Sequence, residues 1–289
     1  MSKSSHRLSV KPEETYGIVR KWLHDDYTPV SISQSIALIG KEKIAEVINS
    51  LLQVGLILIE GISDKNGKVN EEYCEKLSAF ILYHWDGTFT LRKSLINALC
   101  NFYNVSFVLL RCSLDMLLYG LFYQCLSQSR FRESKEIEII KDNELKRLVG
   151  SLTKFLNENP EESAHAEKSS VYIFDLLDKL KINKLRPKPA CVYKLLSKWG
   201  LFEPIEKPEK VIARVYGKLS FNVHQHYSTI DVGRAILEDK EIFEIHPPFL
   251  ETSARQYLQE LQQVLKLWTI SELNLLKLFN IPTVSQPYQ

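Results

Sequence analysis

Hydrophobic and polar positions along the chain alternate with helical rather than strand spacing over most of its length. From Asn104 to Leu126 the sequence is apolar on nearly every helical face, broken near its middle by Arg111 and Asp115. A helix apolar all round is a membrane span or the central helix of a bundle. Arg111 and Asp115, four residues apart, share a face and can satisfy each other or a partner helix, whereas at the centre of a bilayer they would be costly. The pattern therefore predicts the buried spine of an all-helical domain.

Further helices are expected on either side of the spine. One runs from Asn70 to about Trp85, broken by Asp86-Gly87, and the following TFTLRKSLINAL leads towards the spine. Others cover Leu145 to Leu156, VYIFDLLDKLKI (171–182), CVYKLLSKWGL (191–201) and a long amphipathic C-terminal stretch. A shorter last helix is expected after Thr269 or Ser271 as cap. The mixed-charge run RFRESKEIEIIKDNE reads as a solvated face or loop, and NENPEESAHAEKSS as the most loop-like, protease-exposed connection.

Before residue 70 the pattern differs. A first helix starts near Pro12, with Tyr16, Val19, Trp22 and Leu23 at helical spacing, and a short one capped by Ser31 or Ser33 ends near Gly40. A third covers Glu42 to Gln53 with Ile44, Val47, Ile48, Leu51 and Leu52 inward. Gly55 is expected to stop it, LILIE to form a strand and SDKNGK a turn. This order resembles a winged helix-turn-helix domain over roughly the first 70 residues. The resemblance implies that the third helix occupies the recognition position, with Lys41, Lys43, Asn49 and Gln53 as DNA contacts. Glu42 and Glu46 weaken its electrostatic footprint, so the alternative is a helical subdomain that packs on the main body or on a partner. The expected organisation is a mainly α chain: residues 1–69 as the winged-helix-like or helical part and 70–289 as a helical bundle.

Composition narrows the function classes. The 289 residues are 45% hydrophobic and 25% charged, and 37 basic against 35 acidic side chains leave a net charge of +2. That range is ordinary for a globular chain, and no global field announces a nucleic acid or an anionic membrane. Five widely spaced cysteines without a CxxC pair argue against zinc-ribbon or thioredoxin chemistry and for free thiols in a reducing compartment. The polar start of the chain lacks a signal-peptide core, so the expectation is a cytoplasmic protein without a membrane partner. P-loop, dinucleotide-glycine, nucleophile-elbow and HExxH motifs are absent, and no cofactor or metal is expected. His84 with Asp86 lacks a third ligand, and His24, His226 and His246 read as structural or solvated.

The candidate chemistry lies in ARVYGKLSFNVHQHY. Tyr216, Ser220 and His224 recur every fourth residue and form one helical stripe, which Leu219 and Val223 direct towards the core. The spine offers Arg111, Ser113 and Asp115. Together these predict a polar cluster in which Asp115 pairs with Arg111 or fixes the His224 tautomer, while Tyr216 and Ser220 satisfy the remaining donors and acceptors.

The pairing of LLRCSLD with a later VYGKLSFNVHQ resembles helical proteins of the HEPN superfamily and abortive-infection proteins, over roughly Asn70 to Gln289. In them an L-R-x-x-x-D/E helix recurs with a Y-x-x-L-S-x-x-V-H helix. The resemblance implies a helical bundle, a homodimer that can build a composite site, and RNA binding or metal-independent RNA cleavage in defence or toxin-type regulation. It assigns the site to Arg111, Asp115, Tyr216, Ser220 and His224. Ribonuclease members carry an Arg four to six residues before the catalytic His, where this chain has Lys218; Arg214 lies farther upstream. Lysine lacks the planar fork with which arginine grips phosphate. The competing expectation is a structural network, since buried Arg, Asp, Tyr, Ser and His must be hydrogen-bonded whether or not they catalyse. A second functional class is a non-catalytic interaction or regulatory module whose N-terminal part binds DNA or a protein.

Overall fold

The computed structural model describes Gly17 and residues 29–64, 66–223 and 249–282. Its order is α1 (Pro29–Ile39), α2 (Lys41–Gly61), α3 (Glu71–Lys76), α4 (Ser78–Leu99), α5 (Tyr103–Leu126), α6 (Ser129–Arg132) and α7 (Glu136–Ile139). There follow α8 (Asn143–Glu158), α9 (Pro160–Lys168), α10 (Tyr172–Lys179), α11 (Pro189–Lys198), α12 (Pro208–Val223) and α13 (Glu251–Leu278). The mainly α expectation holds. Among the described residues the extended pairing is a single antiparallel bridge between Ser63 and Val69.

The spine is α5. It pairs with α4 as an antiparallel hairpin, and α11, α12 and α13 pack round its remaining sides. Two glycines set the closeness of this centre. A Cβ on Gly120 would lie 2.6 Å from Tyr83 Cβ, and one on Gly87 would lie 2.6 Å from the Trp268 ring. Gly87 is buried within α4, so Asp86-Gly87 does not break the helix as expected. Removing one Cβ lets the α13 tryptophan seat against the α4 backbone, and that packing outweighs the roughly 1 kcal/mol helix penalty of glycine. The spine is not buried all round: Val105 and Cys112 are exposed on one ridge.

Several boundaries differ from those read from the sequence. Gly55 and LILIE lie inside α2, because Val47, Leu51, Val54, Leu58 and Gly61 continue one buried stripe. Leu276 of α13 packs directly over Gly61. The expected strand is therefore helix. Ser31 and Ser33 lie within α1 instead of capping it. NENPEESAHAEKSS is largely α9, started by Pro160 at its first turn and anchored by buried Ala166. The C-terminal stretch is one helix of 28 residues running through Thr269 and Ser271. The first expected helix falls outside the described residues, apart from helical Gly17.

Side-chain hydrogen bonds hold the junctions. Asn70 caps α3 by accepting from Tyr73 N, and Asp142 caps α8 by accepting from Glu144 N and Leu145 N. Buried Gln124 of α5 accepts from Phe80 N and from Ser170 Oγ, and donates to the Lys76 carbonyl. These bonds satisfy backbone groups where α3 passes into α4 at Leu77. One apolar core contains Ile44 and Val54 from α2, Leu114 from α5 and Trp268 from α13, so residues on both sides of position 70 share it. Helices α2 and α5 are each long and apolar enough to cross a membrane, and α5 is 56% buried within the protein.

Candidate functional site at the α5–α12 seam

The seam between α5 and α12 brings four of the expected residues together. Arg111 and Asp115, one turn apart on α5, form an ion pair. On α12 the Tyr216 ring lies beneath the guanidinium, with Arg111 Cζ 3.3 Å from the ring centroid. Tyr216 OH donates to Asp115 Oδ1 at 3.3 Å, and Arg111 Nε donates to Ser220 Oγ at 3.2 Å. The cluster follows from helical spacing: Tyr216 and Ser220 face one way from α12, while Ile212, Val215 and Leu219 anchor the helix in the core.

This cluster combines a charge pair, a cation–π contact and two hydroxyl bonds in a half-buried place. The Arg111 side chain is 12% exposed and that of Asp115 34%, so solvent or a ligand reaches it from the carboxylate side. Burial raises the Asp115 carboxyl above its ordinary range, and the hydrogen bond and charge of Arg111 oppose that rise. One turn on, Tyr119 OH donates to the Pro187 carbonyl at 2.6 Å. Its phenol is pushed up to about 12, first by burial and then by the Asp115 charge. The Tyr193 ring sits 6.3 Å from that of Tyr216.

The remaining expected positions lie elsewhere. Lys218 is not in the cluster: it reaches Glu260 of α13 at 2.5 Å, as its place two residues from Tyr216 dictates. His224 follows Val223 in the sequence and, with His226, lies outside the described residues. Ser113 is buried, with an unpartnered hydroxyl. On α2, Lys41, Asn49 and Gln53 are exposed and Lys43 is half-buried; Glu46 and Glu60 are exposed on the same helix. The five cysteines are all free.

A buried pair far apart in sequence was not anticipated. His84 Nε2 of α4 approaches Glu272 Oε1 of α13 at 3.0 Å, with the Val54 carbonyl oxygen of α2 at 3.4 Å. The rings of Phe80, Trp85 and Trp268 surround the imidazole. Both residues are at most 1% exposed. Burial pushes the Glu272 carboxyl up to about 7, opposed by the hydrogen bond and charge of His84. The available sequence signal was a carboxylate between Trp268, Leu275 and Leu276 on the apolar stripe of α13. A charge on a core stripe needs a buried partner.

Comparison with family models, with curated proteins and with solved structures returns no match for this chain.

Proposed function

We propose that the chain is an RNA-binding protein of HEPN-like type whose ligand meets the α5–α12 seam, with metal-independent RNA cleavage as its activity. The observation that carries the reading is the union of Arg111, Asp115, Tyr216 and Ser220 in one half-exposed cluster, from the two stretches that the resemblance pairs. Cleavage of this kind needs a base for the 2′-hydroxyl, an acid for the leaving oxygen and a cation for charge on the phosphorane. His224 is assigned the proton transfers, and Arg111 the charge. Tyr216 holds the guanidinium flat, and Asp115 and Ser220 fix its direction. The reading includes a cytoplasmic homodimer in defence or toxin-type regulation, as the resemblance implies.

A second reading has its own support. The Arg111 charge is neutralised by Asp115, and Lys218 is engaged by Glu260, which suits a polar latch between helices in a non-catalytic interaction module. That module would bind DNA or a protein through its N-terminal part. The test is incubation of a mixed RNA pool in chelator with wild type and His224→Ala, both checked by thermal melting. Cutting by the wild type alone, at matched melting temperatures, supports the ribonuclease reading. Absence of cutting by either protein favours the latch.

A further inference from the structure

A second polar site lies away from the α5–α12 seam, in an open cleft of about 490 Å³ between the α6–α7 segment and α8. Arg132 lines it and is only 3% exposed. Its Nη1 donates to the carbonyls of Leu126 and Ser127 at 2.8 and 2.7 Å, and Nη2 donates to Ser163 Oγ at 3.0 Å. All three acceptors are neutral. The first two belong to the C-terminal end of α5, whose partial negative charge offsets part of the guanidinium charge. The Nε donor has no partner, and neither does the buried Thr153 Oγ1 of α8, which lines the same cleft. Burial lowers the Arg132 pKa from its ordinary value, and Glu167 and Glu133 oppose this through space.

A buried cation with an unused donor, on the lining of the same cleft as a hydroxyl with no partner, is costly unless an acceptor arrives. Lys146 and Lys154 add two cationic heads at the cleft, against Glu133 and Glu138, so its lining carries net positive charge. We infer that this cleft binds the phosphate group of a small phosphorylated molecule, with Arg132 and Thr153 as floor donors and Lys154 at the rim. Phosphate suits the set because it accepts several charge-assisted hydrogen bonds at once. The volume lies in the range of small-molecule sites and leaves room for a mononucleotide-sized body beyond the phosphate. The inference is independent of the RNA reading, since no residue of the seam takes part.

The test is isothermal titration of the full chain with inorganic phosphate and with adenosine monophosphate, each against sodium chloride at matched ionic strength. Thr153→Val and Lys154→Ala serve as variants because Arg132 also caps α5 and its replacement risks the fold. The expected result is saturable binding of at least one probe, weakened about tenfold or more by Thr153→Val, as loss of a hydrogen bond to a charged group implies. Equal affinity for the two probes marks a phosphate-only site, and tighter binding of the nucleotide shows that the rest of the cleft contributes. No saturable heat with either probe, or unchanged affinity in both variants, overturns the assignment.

Discussion

Replacing Glu272 with Gln tests whether burial between α4 and α13 keeps this carboxyl protonated. Glu272 is 1% exposed, and its carboxyl is pushed up to about 7 from an ordinary 4.5. The folded state therefore holds a proton that the unfolded chain releases above pH 4.5. Stability contributed by that proton is complete below the unfolded value and is lost as pH rises through about 7. A shift of this size corresponds to about 3 kcal/mol at its limit, since each pKa unit is worth about 1.4 kcal/mol. Between about pH 5.5 and 8.5 the wild type should lose about 2 kcal/mol relative to Glu272→Gln, which carries no titrating proton. Near pH 5.5 the two should lie within about 1 kcal/mol, because the amide can replace one hydrogen bond to His84. Urea unfolding at four pH values across this window, read by the fluorescence of the four tryptophans, Trp268 and Trp85 beside the pair among them, measures the difference. Parallel stability curves for the two proteins would refute the raised carboxyl.

Other expectations follow from packing and capping. Gly87→Ala places a Cβ 2.6 Å from the Trp268 ring, so it should destabilise by about 1–3 kcal/mol in urea unfolding despite the better helix propensity of alanine. The Asp142 carboxylate accepts from three backbone amides, those of Glu144, Leu145 and Lys188. Asp142→Ala should therefore cost about 2 kcal/mol or more, beyond an ordinary cap. The same bonds lower the Asp142 pKa against the opposing effect of burial. A lowered carboxyl contributes stability that is present above its unfolded pKa and lost as pH falls through the folded value. The Asp142→Ala deficit should accordingly shrink in acid, as melting curves at about pH 3 and pH 7 would show.

Helical periodicity was legible because it depends on residues near in sequence. The spine, the stripe of Tyr216 and Ser220, and the chemistry of Arg111 with Asp115 all followed from spacing alone. Misplaced boundaries came from local signals that tertiary packing overrides. Gly55 and Gly87 read as stops, yet Gly55 lies inside α2 and Gly87 serves close approach, with Trp268 over it. LILIE is β-branched enough to suggest a strand, but its inward residues continue the α2 stripe against α13. Pro160 read as loop punctuation, although proline fits the first turn of a helix. The His84–Glu272 pair spans 188 residues, and no local pattern identifies which buried histidine a core carboxylate will meet. Lys218 was grouped with the site because it stands where the resemblance carries an arginine, whereas helix geometry turns it towards Glu260.

In the proposed RNA-binding role, Arg111 faces a ligand phosphate and does more than join two helices. Fluorescence anisotropy with a labelled single-stranded RNA, comparing wild type, Asp115→Asn and Arg111→Gln, tests it directly. Asp115→Asn removes the carboxylate that neutralises the guanidinium, so RNA affinity should rise, whereas Arg111→Gln should lower it. A pure latch predicts that both variants melt at lower temperature while RNA binding is absent or unchanged in all three proteins, and that result would contradict the account.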